Sequence, residues 1–142
     1  MSVRALLVAG AFALSLPGPM IKPASRLPPI PVVSHRRETT FLTETTPLLD
    51  MEWWAVVAVR CHLRSVRWQS LVEEQIAYDA ADAARTLWPE DSGRQGTELS
   101  MFTDTQIVTR LKAASAPDTQ CAALITTSRL DELDRMAKAA GW

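Results

Sequence analysis

The chain is poor in the residues from which metal centres and many catalytic sites are built. Among 142 residues it holds two cysteines and two histidines. Cys61 and Cys121 are too few for a disulfide scaffold or a four-thiolate zinc site, and the widely separated His35 and His62 do not complete one. His62 has no Asp or Glu near it in sequence to orient it, which argues against a general base. No nucleophile elbow, phosphate-cradling glycine loop or metal-ligand spacing is present, so neither an enzyme nor a bound cofactor or metal is expected. A positive excess is lacking too. The net charge is −1 with a pI near 6.1, which speaks against a polybasic nucleic-acid coat.

What is there suits a folded domain. Hydrophobic residues make up 47% and charged residues 22%, values that exclude a broadly disordered or collagen-like chain. The length allows one domain and a tail. Proline divides the two: seven of nine lie before residue 48, at 17, 19, 23, 28, 29, 31 and 47. Each lacks an amide donor and fixes φ, so residues 17–47 read as an extended linker that a protease should clip between Lys22 and Arg37. Residues 1–50 carry five basic and three acidic side chains, whereas residues 51–142 carry ten and thirteen. The globular domain is therefore expected over 48–142.

Residues 1–16 form a separate unit. Arg4 precedes an apolar run from Ala5 to Leu16, the first two parts of a secretory signal, and Ala11-Phe12-Ala13 offers a small-x-small cleavage pattern inside that run. Twelve helical residues span roughly 18 Å against a hydrocarbon core of roughly 30 Å. Membrane association through residues 3–21 would need the run to continue past two prolines.

Further along, Trp53-Trp54-Ala55-Val56-Val57-Ala58-Val59 reads as a buried strand or a helix start. Leu63, Val66, Trp68, Leu71 and Val72 follow at helical spacing, with Arg60, Arg64 and Arg67 as a charged stripe that a solvated helix face explains. Ala80–Leu87 favours helix and Pro89 stops it, and residues 89–97 read as an exposed loop. Asp104–Ala114 is predicted helical, with Ile107, Val108 and Leu111 on its apolar face. Cys121–Thr126 is short and apolar enough for a buried parallel strand. Ser128 with Asp131 forms a capping-box pattern ahead of a helix whose apolar face is Leu130, Leu133, Met136, Ala137 and Ala140, closed by Gly141. Alternating strands and helices predict an α/β fold, with a mostly α-helical fold as the alternative.

This order of elements resembles a response-regulator receiver domain. Leu124-Ile125-Thr126-Thr127-Ser128-Arg129 is similar to the end of that family's fourth strand, where a threonine supplies the switch hydroxyl, and Gly141 closes the following helix. Glu98-Leu99-Ser100-Met101 resembles the phosphoacceptor strand end, Ile107–Ala113 the third helix, Ala81–Leu87 the second helix and Val56–Val59 the first strand. The resemblance implies an incomplete, flavodoxin-like parallel sheet with flanking helices, Glu98 at the acceptor position and Thr126 at the switch position. Arg60 and Cys61 stand where the family has metal-binding acids, Glu98 replaces its aspartate, and no fifth strand with its lysine follows. A metal must neutralise the incoming phosphoryl group, so such a module would not be phosphorylated and would act by binding a protein partner in the cytoplasm. Read alone, Glu98 is an exposed loop carboxylate and Thr126 caps a turn. The receiver arrangement also puts Cys61 and Cys121 at opposite ends of a sheet, beyond the roughly 7 Å that a disulfide tolerates. Free buried thiols are then expected, with pairing reserved for an exported chain.

A second reading is an exported or membrane-anchored small protein of structural or interaction role. Trp53-Trp54 would then sit at a membrane interface, in a partner groove or in the core. A third is a helix-turn-helix opening at Phe102–Val108, against which stands the apolar run that follows where a basic recognition helix belongs.

Overall fold

The computed structural model describes residues 32–142 and contains five helices and no strand among them: α1 (Val32–Arg60), α2 (Val66–Leu87), α3 (Ser92–Ala114), α4 (Thr119–Thr126) and α5 (Arg129–Ala139). The α/β expectation is overturned, and with it the receiver-like parallel sheet; the helical alternative is what the chain adopts. Both presumed strands are helical. Val56–Val59 ends α1 and Cys121–Thr126 lies within α4. The first misleads because α1 is the central helix and packs against all four others. A helix enclosed on most sides is apolar on most sides, and a short stretch of it cannot be told from a buried strand.

The proline-rich reading also changes. Residues 32–47 belong to α1, so the described part of the expected linker is helix; residues 1–16 and 17–31, with their signal and linker readings, lie outside the described residues. Helix α1 passes through Pro47, which is exposed, so the carbonyl of Thr43 that loses its amide donor sits at a solvated surface. Threonine hydroxyls line this half of the helix, each donating to the carbonyl four residues back, from Thr39 to His35 (3.0 Å) through Thr46 to Leu42 (2.6 Å). Thr45 is buried and its bond to the Phe41 carbonyl, at 2.8 Å, satisfies a hydroxyl that water does not reach.

The principal core seam joins α1 to α2. Trp68, Val72, Ile76, Ala80 and Ala84 follow one another at four-residue spacing, all buried, and Trp88 continues the row past the helix end. They meet Phe41, Met51, Ala55, Val57 and Ala58 of α1, and the Phe41 and Trp88 rings stand edge to face at 5.8 Å. Fully enclosed side chains such as Val72 and Ile76 each stabilise the fold by roughly 1.5–3 kcal/mol of transfer free energy. Pro89 ends α2 as expected, but the loop after it is short, since Asp91 already caps α3 by accepting from the Arg94 amide at 2.8 Å.

The turn from α1 to α2 is set by a left-handed residue. His62 has φ 59°, its amide donates to the Val59 carbonyl, and the Leu63 amide reaches back to Ala58. This is a Schellman closure with histidine where glycine is usual. Helix α5 closes in the same way at Gly141, φ 106°, with the Trp142 amide on the Ala137 carbonyl. Its apolar face is the expected one: Leu133 and Ala137 are buried, with Leu130, Met136 and Ala140 half-buried. Ser128 stands at its N-cap without a side-chain capping bond.

Cys61 and Cys121 form a disulfide, their Cα atoms 5.6 Å apart. The free-thiol expectation depended on a sheet separating them; in the helical fold the end of α1 meets the start of α4. Among the described residues no helix is long and apolar enough to cross a membrane.

Candidate functional site

Helix α3 faces the molecule the other way round from the sequence expectation. Its inward row is Glu98, Phe102 and Gln106, flanked by half-buried Arg94 and Arg110 at the same four-residue spacing. Its outward face carries Met101, Ile107, Val108 and Leu111, all exposed and Leu111 by 68%. The apolar face predicted to enter the core is the one left outside.

The inward row is matched by acids. Arg94 pairs with Glu38 of α1 and, at 2.6 Å, with Glu98 on its own helix, and its guanidinium lies 5.7 Å from the Trp88 ring centroid. Two turns along, Gln106 Nε2 donates to Glu52 Oε2 at 2.8 Å, while Arg110 reaches Glu52 Oε1 at 3.3 Å and Glu73 of α2 at 3.4 Å. Arg110 is not aligned for a hydrogen bond to Glu52, so that oxygen is enclosed with an ion-pair neighbour and no hydrogen bond. Glu52 is wholly buried. Burial pushes its carboxyl up to about 7; the Gln106 hydrogen bond opposes this, the Glu73 charge adds to it and the Arg110 charge opposes it.

A second ionic cluster fastens α5. Arg64 donates to both carboxylate oxygens of Asp134, at 2.9 and 2.5 Å, and buried Trp68 donates its indole N–H to the same group at 2.9 Å. The Arg64 hydrogen bonds hold the Asp134 carboxyl below the usual carboxylate range. The arginine stripe is therefore no stripe. Arg60 ends α1 and pairs with Asp118, Arg64 lies in the turn, and exposed Arg67 is in the first turn of α2.

The two positions singled out by sequence are not brought together. Glu98 is neither in a loop nor exposed: it lies within α3, 5% exposed and paired with Arg94. Thr126 is the last residue of α4, exposed, its hydroxyl donating to the Ala122 and Ala123 carbonyls. Helices α3 and α4 do not touch. The groups sequence reasoning passed over are Glu52, Glu73, Gln106 and Arg110. Their signal is the four-residue spacing Arg94, Glu98, Phe102, Gln106, Arg110 and the acid Glu52 immediately ahead of the Trp53–Val59 run.

Beside the outward face of α3 runs a groove of about 110 Å³ between α1 and α3, lined by Leu42, Thr46, Leu49, Met101, Phe102 and Thr105 among others. Leu42 is 61% exposed and extends the apolar surface onto α1. Scattered apolar side chains are ordinary at a protein surface; these stand along one side of a single helix. Among the described residues no group of three or more His, Cys, Asp or Glu side chains is placed to hold a metal ion. No protein-family model, curated protein or solved structure matches the chain.

Proposed function

We propose that this chain is an exported helical protein that works by binding another protein chain through the outward face of α3 and the adjoining groove. The observation that carries export is the Cys61–Cys121 disulfide, because such bonds persist in oxidising compartments and are rare in the cytosol. The apolar run Ala5–Leu16 behind Arg4 supports it independently. Either fate of residues 3–21, removal as a leader or retention as an anchor, puts the helical domain outside the inner membrane. Binding is favoured over catalysis because the most perturbed acid among the described residues, Glu52, is sealed from solvent and engaged by Gln106 and Arg110.

The test is a reporter enzyme that is active only outside the inner membrane, joined after Trp142. Activity is expected, together with cysteines that resist alkylation in intact cells until a reductant is added. A silent reporter with both thiols freely alkylated overturns the reading.

A further inference from the structure

We infer that the outward face of α3 is a self-association surface, on which a second copy of this chain lays its own α3 antiparallel across a two-fold axis near Val108. The inference rests on the binding-surface part of the proposed function and names the partner.

Three observations carry it. First, the face cannot be hidden by rolling the helix. Turning Met101, Val108 and Leu111 inward would withdraw Arg94, Gln106 and Arg110 from Glu38, Glu52 and Glu73 of the neighbouring helices, leaving buried charge unpaired. The apolar surface must therefore be covered from outside.

Second, its charges complement themselves. Asp104, Val108 and Lys112 follow one another at four-residue spacing, so they share this face with Val108 midway. Asp104 and Lys112 are both exposed, and among the described residues neither makes an ion pair within the chain. An antiparallel copy centred on Val108 sets Asp104 against Lys112 of the second copy and Lys112 against its Asp104. This reciprocity is what a two-fold interface requires.

Third, the same register spreads the apolar side chains along the seam. Val108 meets its own counterpart, and Met101 comes beside Ser115 at the end of α3 in the second copy. The axis near Val108 leaves Leu42 and the groove at the two ends of the contact, as a rim.

The test is sedimentation of the full chain over about 1–100 µM, a range across which a dimer of micromolar affinity both forms and dissociates. Circular dichroism and an intact disulfide serve as controls for folding. The wild type is expected to be a reversible dimer. Val108→Glu sets two carboxylates together on the axis and should leave only monomer. Asp104→Lys and Lys112→Asp should each weaken the dimer about tenfold, by turning two attractive pairs into repulsive ones, and the double exchange should recover the wild-type affinity to within about threefold.

A monomeric wild type, a dimer indifferent to Val108→Glu, or a double exchange no better than the singles would each overturn the inference. A monomer that binds anionic lipid vesicles would assign the face to a membrane instead. Export fails separately from dimerisation: the reporter reads one and sedimentation the other, so a monomeric chain with an active reporter leaves the face to a different protein.

Discussion

Helices α2 and α3 have nearly the same length, 22 and 23 residues, and both lie against α1, yet they turn opposite chemistry towards it. Helix α2 buries the row Trp68, Val72, Ile76, Ala80 and Ala84 and leaves Tyr78 and Glu74 in water. Helix α3 buries Glu98 and Gln106 around Phe102 and leaves Met101, Val108 and Leu111 in water. Which face of a helix goes inward is decided by its neighbours as well as by its own hydrophobicity. Where α1 offers Ala55 and Ala58 the seam is dry; where α1 and α2 offer Glu38, Glu52 and Glu73 the partner must bring cations and amides. A dry seam supplies stability directly. An ionic seam supplies less, because desolvation offsets most of the Coulomb attraction, and what it fixes is the rotation of α3 about its own axis.

The largest change comes from the covalent tie outside both seams. Replacing both cysteines by serine opens a link spanning 60 residues, and the unfolded chain then regains conformational freedom worth about 4 kcal/mol. Urea unfolding of the double variant should show that loss. Because α4 touches only α1 and α5, the dry α2 seam and the ionic α3 seam should both survive it. A collapse of helical content without denaturant would mean that the seams do not hold the fold unaided.

Next is the dry seam itself. Ile76 is wholly buried, and Ile76→Ala should lower the unfolding free energy by about 3–4 kcal/mol through lost transfer energy and the cavity left behind. A loss below about 1 kcal/mol would show a seam able to collapse into the gap, and the contrast with α3 would lose its energetic half.

How much of this was legible follows the same divide. Helix α5 is legible in the sequence, since Leu133 and Ala137 face the core and Gly141 takes the positive φ, and the break at Pro89 also falls where expected. These are local signals: one-sided periodicity, a glycine that tolerates a left-handed backbone, a proline that stops a helix. The errors are tertiary. Val56–Val59 looks like a strand because its helix is enclosed, and the outward placement of Ile107, Val108 and Leu111 depends on acids contributed by α1 and α2. The disulfide was hidden by the sheet assumed for it. In the candidate site, Glu98 stands out in the sequence only through a family resemblance and sits instead in an ion pair, while Glu52 is not legible because an acid beside an apolar run does not name its partners.

The ionic seam should show itself through pH. Glu52 titrates near 7 when folded, against 4.5 as the ordinary value. The folded state therefore holds this proton more tightly than the unfolded chain does. Its contribution is complete below pH 4.5, is lost as pH rises through 7 and is level above that, a change of about 3 kcal/mol. Urea midpoints at pH 5 and pH 8 should differ accordingly, and Glu52→Gln should remove most of the difference. Asp134, held low by Arg64, acts in the opposite sense: its contribution is present above the ordinary value of 3.8 and fades as pH falls below it, outside this window. A wild type equally stable at pH 5 and pH 8 would show that Glu52 stays charged throughout, and the α3 seam would then be a conventional ion pair.

The smallest expected effect is the most direct check on the contrast. Leu111 lies on the face that sequence periodicity assigns to the core, yet it is 68% exposed. Leu111→Ser, measured well below the dimer's dissociation concentration, should change the unfolding free energy by no more than about 0.5 kcal/mol, as surface substitutions do. The same change in α2, Ile76→Ser, would remove a fully enclosed side chain and bury a hydroxyl in its place. If Leu111→Ser instead costs more than about 2 kcal/mol, the side chain is packed inside its own chain, α3 is turned as its periodicity suggests, and the two helices are alike after all. If stability holds while self-association weakens, the leucine acts between molecules, and the orientation of α3 is explained by what it meets on both sides: acids within the fold and a second apolar helix outside it.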